Sequence, residues 1–154
     1  MNAFLASSES HLQLDALWLG DAEGFGIAAA QSRPPVNPIG VNYADRLYFR
    51  EAKAGRPGFQ YAFGRTTGQG GIYFSAPLMT GKRFCGFVLL KINTTSLYPW
   101  VDQADVALSD ANGVVIAARD RSLEMQTLPG ATVMTLGEPE RMKQYGRTGF
   151  LPLR

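Results

Sequence analysis

Three consecutive segments in the middle of the chain predict β-strands, and short glycine-containing turns separate them. The segments cover residues 58–65, 71–79 and 84–93. In the first, Phe59, Tyr61 and Phe63 occupy alternate positions, the period of a β-strand. Pro77 marks the second as an edge strand or a bulged one, and the third is apolar enough to lie at the centre of a sheet. Because strands joined by tight turns pair antiparallel, the sequence predicts an antiparallel sheet.

A predicted hairpin precedes these strands, and a similar sequence follows them. Residues 15–30 predict two short strands around a turn from Asp21 to Gly24, and residues 105–119 have the same pattern. Aligning Asp21 with Asp110 gives six identical pairs: Asp21/Asp110, Ala22/Ala111, Gly24/Gly113, Ile27/Ile116, Ala28/Ala117 and Ala29/Ala118. Such a long-period repeat implies two copies of one supersecondary unit.

The repeat also divides the chain. We expect residues 1–14 to be the end of an N-terminal helix, residues 15–100 to form a first module and residues 101–154 to form part of a second. The second copy lacks the aromatic strands of the first, so the second module looks incomplete. Residues 31–41 are rich in proline and predict a loop, and residues 139–144 predict a short helix.

Between the first hairpin and the three strands, residues 42–55 predict a short helix that ends at Gly55. Positions i, i+1 and i+5 lie within one broad face of a helix. Leu47, Tyr48 and Ala52 are therefore expected to share the face that packs on the sheet.

Two side chains near the start of this predicted helix are candidates for a binding site. Tyr43 and Arg46 lie three positions apart and can point into the same space. A guanidinium beside an aromatic-rich sheet suits a ligand carboxylate, because its planar fork can donate two hydrogen bonds to one carboxylate. The alternative is that Arg46 is an ordinary solvated helix charge.

Composition and charge argue against several function classes. The net charge is only +2 and no stripe of lysine and arginine exists, so nothing indicates nucleic-acid binding. One cysteine, Cys85, and one histidine, His11, allow no disulfide within the chain and argue against a zinc site. Cys85 lies in an apolar run, which predicts a buried, unreactive thiol. The sequence shows neither a segment of membrane-spanning length nor a signal peptide.

The sequence also lacks recognisable catalytic patterns. The glycine-rich residues 66–71 are not followed by the Lys-Ser/Thr of a phosphate-binding loop, and no Gly-x-Ser-x-Gly motif exists. Asp45 and Glu51 are six positions apart, so they would not face each other on a helix. We therefore expect a binding domain rather than an enzyme, with no catalytic residues, metal or cofactor.

Several motifs in a fixed order resemble a known family. They are Asp-Ala-x-Gly in the first turn, Asn42-Tyr43-x-x-Arg46-x-Tyr48-Phe49, Gly64-x-Thr66-Thr67-Gly68, Tyr73-Phe74-Ser75-x-Pro77, and the strand from Gly86 to Lys91-Ile92. Over residues 10–120 the chain resembles the PAS-like Cache sensor domains of bacterial transmembrane receptors. The likeness is greatest to the extracytoplasmic region of C4-dicarboxylate sensor histidine kinases.

The resemblance implies an α+β fold: a five-stranded antiparallel sheet with flanking helices, plus the start of a second PAS-like module. It also implies that the first, membrane-distal module binds a small carboxylate between the sheet and its helix-loop cover. The implied ligand-binding residues are Tyr43, Arg46 and Tyr48 on the cover side, Thr66, Thr67 and Ser75 as hydroxyl donors on the sheet side, and Lys91 as a second cation. Two separated cations would suit a diacid.

The resemblance further implies a setting for the chain. We expect a periplasmic, extracytoplasmic part of an inner-membrane receptor that meets the membrane only through flanking segments, with its output module outside this chain. A histidine kinase is the favoured output, and a diguanylate cyclase or a chemoreceptor is the alternative. The expected partner is a small organic acid, and a homodimer is possible within this scheme.

Other interpretations remain open at this point. Strand alternation allows Lys91 to point outward to solvent, and Tyr61 is read as an ordinary core residue. The ligand could be an amino acid, for which Asp45 is the acidic residue nearest to Arg46 in sequence. The domain could also bind nothing and serve receptor dimerisation.

Overall fold

The computed structural model describes residues 15–30 and 37–153. The helix end expected over residues 1–14 and most of the proline-rich loop, residues 31–36, lie outside the described residues. The described chain forms two compact units. The first comprises residues 15–30, 37–60 and 72–92, and the second comprises residues 61–71 and 93–153.

A five-stranded antiparallel sheet with the order β2-β1-β5-β4-β3 confirms the predicted architecture. Its strands are β1 (Ala16–Asp21), β2 (Gly26–Ala30), β3 (Gly58–Phe63), β4 (Gly70–Thr80) and β5 (Arg83–Asn93). The apolar strand β5 lies at the centre, as its composition predicts. Strand β4, which contains Pro77, is an internal strand of the sheet and not an edge strand. It is longer than its neighbour β3, with 11 residues against six. Ser75 lies beside Gly58, the first residue of β3, so Pro77 falls beyond the end of that neighbour.

The helix α1 (Leu47–Lys53) covers one face of this sheet. Phe49 packs edge-on against Phe84 and Phe87, with ring centroids 6.0 and 5.4 Å apart. The Ser75 hydroxyl on β4 donates a 2.7 Å hydrogen bond to the Tyr48 carbonyl of α1. We call this the inner face. On the opposite face, a smaller apolar cluster is formed by Leu17, Leu19, Ala28, Ala30, Val88 and Leu90.

The helix α1 is shorter than predicted, and the position of its first residue explains why the predicted burial of Leu47 is wrong. Residues 42–46 form turns, in which Asn42 Oδ1 accepts from the Ala44 N–H (2.8 Å) and the Tyr43 carbonyl accepts from the Arg46 N–H (2.9 Å). Arg46 is the N-cap and has extended backbone. With the helix starting at Leu47, that side chain is 39% exposed and does not join the buried face, contrary to the prediction.

The predicted end of the helix is confirmed. Gly55 has left-handed backbone (φ 78°), and its N–H donates to the Ala52 carbonyl (2.8 Å). This is the usual role of glycine after a helix, because it has no Cβ to oppose that conformation. Ala52 itself is fully buried, as expected.

Cys85 is half-exposed, so the prediction of a buried thiol is wrong. Strand β1 pairs with β5 only from Lys91 to Gly86, and Cys85 lies beyond that last pair. There its Sγ lies 3.3 Å from the Thr80 hydroxyl oxygen, and because this hydroxyl can donate a hydrogen bond to the thiolate, the contact lowers the pKa of the thiol.

The second unit contains a two-stranded sheet and two α-helices among its described residues. The elements are α2 (Tyr98–Ala104), β6 (Ala107–Ser109), β7 (Val115–Ala118) and α3 (Glu138–Tyr145), with short 3-10 turns at Thr94–Leu97, Arg121–Leu123 and Val133–Thr135. Helix α3 matches the helix predicted over residues 139–144. Helix α2 was not predicted; Pro99 stands in its first turn, where its missing N–H costs no hydrogen bond.

The two hairpins repeat in atomic detail. In the first turn, Asp21 Oδ1 accepts from the backbone N–H groups two and four residues later (3.0 and 2.8 Å). In the second, Asp110 Oδ1 accepts at the same spacings (both 3.0 Å). Gly24 and Gly113 have left-handed backbone, and in both hairpins the strand register shifts between the two residues before the aspartate. The structure therefore confirms two copies of one hairpin; the module boundaries stay a prediction.

No helix in the described parts of the chain has the length and apolar character needed to span a membrane.

One glycine of β1 gives a test of this packing. A Cβ at Gly20 would overlap the ring of Phe87, which is fully buried on the inner face. We expect Gly20→Ala to lower the free energy of unfolding by about 1–3 kcal/mol, the usual cost of overpacking a core. Gly149→Ala is the control, because a Cβ there meets nothing within 4 Å. Equal stability of the two variants in urea unfolding would contradict the described packing.

Candidate functional site

Four buried aromatic side chains form a closed circuit on the inner face. Trp18 of β1 contacts Tyr43 and Tyr73, with ring centroids 5.8 and 6.1 Å apart. Tyr48 of α1 closes the circuit, at 6.4 Å from Tyr43 and in a stacked arrangement 5.3 Å from Tyr73. We call these four residues the aromatic circuit. It joins two strands, the helix and the turn before the helix.

Two positive charges are buried with this circuit. Arg46 and Lys91 are each 5% exposed. The Lys91 ammonium lies 5.6 Å from the centroid of the Tyr73 ring, a cation–π contact, and the Arg46 charge acts on the Tyr73 phenol. The interpretation of either residue as a solvated surface charge is therefore wrong. Removing a positively charged side chain from water costs free energy, so the burial of Arg46 and Lys91 requires a physical explanation.

Burial also controls the protonation of this site. It raises the pKa of the Tyr73 phenol well above its ordinary range, although the Arg46 charge opposes the shift. Burial lowers the pKa of Lys91, and the nearby Asp15 carboxylate opposes that shift. At neutral pH the Tyr73 hydroxyl is thus a neutral group that can donate a hydrogen bond.

Two hydrogen bonds fix the position of α1 over the sheet. The Ser75 hydroxyl donates to the Tyr48 carbonyl, as described above. At the start of the helix, the Leu47 N–H donates to the side-chain oxygen of Gln60 on β3 (3.1 Å). Ser75 is buried and its proton is engaged in this bond, so in this arrangement it positions Tyr48.

The structure thus brings together four of the predicted site residues: Tyr43, Arg46, Tyr48 and Lys91. Thr66 and Thr67 lie in the turn between β3 and β4, which belongs to the second unit. Thr66 is exposed, and the Thr67 hydroxyl oxygen accepts from the Gln69 N–H (3.2 Å). A role for these two threonines in ligand binding stays a prediction.

Sequence reasoning missed three residues of the site. Trp18 and Tyr73 complete the aromatic circuit, and Asp15 is the carboxylate that acts on Lys91. Asp45, the acid named from its position beside Arg46, is exposed. Alternation along β1 could have placed Trp18 on one face and Leu17 and Leu19 on the other, because successive side chains of a strand point to opposite faces.

Metal-ligating side chains and surface grooves among the described residues offer no competing site. No group of three or more histidine, cysteine, aspartate or glutamate side chains in residues 15–30 and 37–153 could hold a metal ion. A shallow groove on α2 is lined by Pro99, Trp100, Gln103 and Ala104, which supply no charge. The aromatic circuit with its two cations is therefore the candidate site.

The chain is similar in structure to sensor domains of known receptors. The sensor domain of the V. cholerae histidine kinase DctB superimposes with a TM-score of 0.77 at 21% identity, over 99% of this chain and 60% of that one. The ligand-binding domain of the Campylobacter jejuni chemoreceptor Tlp3, in complex with 4-methylisoleucine, gives 0.64 at 16% identity, over 79% and 50%. That of the Pseudomonas fluorescens chemoreceptor CtaA, in complex with L-isoleucine, gives 0.62 at 20% identity, over 82% and 54%.

No protein-family model and no curated protein matches the sequence. This chain spans about 60% or less of the length of the three structures above. At these identities the similarity establishes the fold: the chain has the PAS-like Cache fold of sensor domains.

The lowered pKa of Lys91 gives a pH-dependent test. Between that pKa and the ordinary lysine value of 10.5, the unfolded chain binds more protons than the folded one, so the folded state gains stability as the pH rises. Below this window the full cost of burying the charge is present. The substitution Lys91→Met removes the free-energy cost of burying this charge. We expect its stability advantage over the parent to be largest near neutral pH and to shrink as the pH approaches 10.5.

Denaturant unfolding at several pH values measures this difference. Lys82→Met, which removes an exposed charge from the turn between β4 and β5, controls for the loss of one positive charge. A difference between Lys91→Met and the parent that stays constant or grows with pH would contradict the burial of Lys91.

Proposed function

We propose that this chain is a ligand-sensing domain of a bacterial transmembrane receptor and that it binds a small carboxylate, with a C4-dicarboxylate as the favoured class. The observation that carries the proposal is the burial of Arg46 and Lys91 against one aromatic circuit. A bound anion would be attracted to both charges, and this attraction is stronger in a buried site than in water.

The two cations suit the two ends of a diacid in different ways. Arg46 can hold one carboxylate through two parallel hydrogen bonds, because its guanidinium is planar and always charged. Lys91 can meet the second carboxylate as a compact charge, and a bound anion would raise its lowered pKa. The phenols of Tyr43 and Tyr73 can add hydrogen-bond donors, and the four rings would exclude water around the ligand.

The fold supports the sensing role. The structures with this fold include the sensor domain of a histidine kinase and two ligand-binding domains of chemoreceptors. We therefore propose an extracytoplasmic location, a transmembrane receptor beyond this chain, and a histidine kinase as the output. Because this chain is not itself expected to catalyse a reaction, the output would be supplied by another domain.

Ligand binding can bias the position of α1. Arg46 is the residue immediately before the helix, and the Ser75 and Gln60 hydrogen bonds tie the helix to the sheet. A carboxylate drawn to Arg46 would favour the arrangement in which this turn and helix close over the inner face. A ligand shifts such an equilibrium only by its difference in affinity for the two arrangements.

An amino acid is the second candidate ligand. Two structures with this fold are complexes with 4-methylisoleucine and L-isoleucine. An amino acid needs an acidic group for its ammonium, and Asp15, which acts on Lys91, is an acid that could supply it. The third interpretation, a dimerisation domain that binds nothing, predicts no thermal shift with any metabolite.

A thermal-shift comparison tests the proposal. Succinate at a hundred times its dissociation constant should stabilise the parent protein by about 2.7 kcal/mol. Arg46→Met keeps much of the buried side-chain volume and removes the charge, and we expect it to weaken binding by about 2 kcal/mol or more. Arg50→Met is the matched control, because Arg50 lies one helical turn later on α1 and is exposed. It should bind like the parent.

L-isoleucine, tested in parallel, separates the two ligand classes. Stabilisation by L-isoleucine alone would favour the amino-acid sensor. If Arg46→Met binds succinate as tightly as the parent does, the assigned site is wrong. If no carboxylate or amino acid stabilises the parent, the ligand-free dimerisation domain becomes the better account.

A further inference from the structure

Trp18 contributes a buried polar group to the candidate site as well as an aromatic ring. Its side chain is 5% exposed and extends from β1 onto the inner face, between the rings of Tyr43 and Tyr73. Strand pairing sets Trp18 opposite Leu89 of β5, two residues before Lys91. The indole is therefore held by the strand ladder and by two aromatic neighbours.

The indole nitrogen has no hydrogen-bond acceptor in the described parts of the chain. Trp18 Nε1 is buried, and none of its neighbours there accepts its proton. An indole N–H can only donate. Folded proteins leave few buried donors unsatisfied, because the lost hydration is not recovered, so each one needs an explanation.

The surroundings of this donor indicate the kind of group that would accept its proton. The Tyr73 ring contacts Trp18, and Lys91 Nζ lies 5.6 Å from the centroid of the same ring. The Arg46 charge acts electrostatically on the Tyr73 phenol. The orphan donor therefore shares one neighbour with both buried cations. All three groups favour an oxygen that carries negative charge.

We propose that the indole N–H of Trp18 donates a hydrogen bond to a carboxylate oxygen of the bound ligand, which makes Trp18 a specificity-determining residue. The inference rests on the proposed function, since it concerns the same binding site. A ligand that presents a carboxylate at this position satisfies the donor. A ligand that presents an ammonium or a methyl group leaves the donor buried and unpaired, and such sites discriminate strongly against ligands that lack the matching group.

The sequence allows a direct spectroscopic test. The chain has two tryptophans, Trp18 and Trp100, and Trp100 is 75% exposed on α2. In a Trp100→Phe background, the 15N-labelled protein therefore has a single indole N–H signal, that of Trp18. On addition of succinate we expect this proton to move downfield and its exchange with solvent to slow.

An isosteric replacement measures the contribution to affinity. In the same background, β-(3-benzothienyl)alanine can be incorporated in place of tryptophan, so that only position 18 carries a ring of similar shape without the N–H. The ligand-free protein should keep its melting temperature or gain stability, because it loses only an unsatisfied donor. Succinate affinity should fall about tenfold to a hundredfold, the usual effect of losing a hydrogen bond to a charged group. Trp18→Phe provides a second variant without the donor.

The outcomes separate this inference from the proposed function. Succinate could still give its Arg46-dependent stabilisation while the indole signal does not move, or while the affinity of the benzothienyl protein is unchanged. Either result overturns the role of Trp18 and leaves the carboxylate sensor intact. That pattern would mean that water or another group satisfies the donor. If no small carboxylate, succinate included, binds the parent protein, both are overturned.

Discussion

The burial of two positive charges on one face of one sheet is the constraint on which this account depends. Arg46 and Lys91 are almost inaccessible to solvent, and burial alone lowers the pKa of the lysine. A chain that needed only a stable sheet could place apolar residues at both positions, and such replacements of buried charges often stabilise proteins. Two such charges lie near the Tyr73 phenol and the Trp18 indole N–H, for which the described residues supply no acceptor, and together these groups suit an anion.

The rest of the first unit holds these groups in position. Tyr43 and Arg46 lie in a turn whose backbone hydrogen bond joins them, and α1 begins directly after that turn. The Ser75 hydroxyl and the Gln60 side chain then fix the first helical residues over β4 and β3. Because the Gln60 hydrogen bond ends at Leu47, the residue after Arg46, a ligand that repositioned the Arg46 backbone would also act on the start of α1. This is the local basis for the proposed signalling role.

Much of the fold could be predicted from the sequence, since its signals are local. The alternation in the strands, the apolar composition of β5 and Gly55 after α1 each act within a few residues. The repeated turn was recognisable because Asp21 and Asp110 make the same hydrogen bonds to their own loops. Such interactions leave a sequence pattern that does not depend on the rest of the structure.

The errors arose where distant residues decide the outcome. The start of α1 depends on Gln60, 13 positions after Leu47, and the exposure of Cys85 depends on where β1 stops pairing with β5. Likewise, the sequence named Arg46 and Lys91 as site residues but could not show that Tyr73 interacts with both and that Trp18 contacts Tyr73. The aromatic circuit is assembled from elements far apart in the chain, so no short motif encodes it.

A crystal structure of the protein with succinate would test the central claim most directly. The account predicts one carboxylate on the Arg46 guanidinium, the other within reach of Lys91, and the aromatic circuit around the ligand. Succinate bound elsewhere, with both cations in contact only with protein groups, would contradict it.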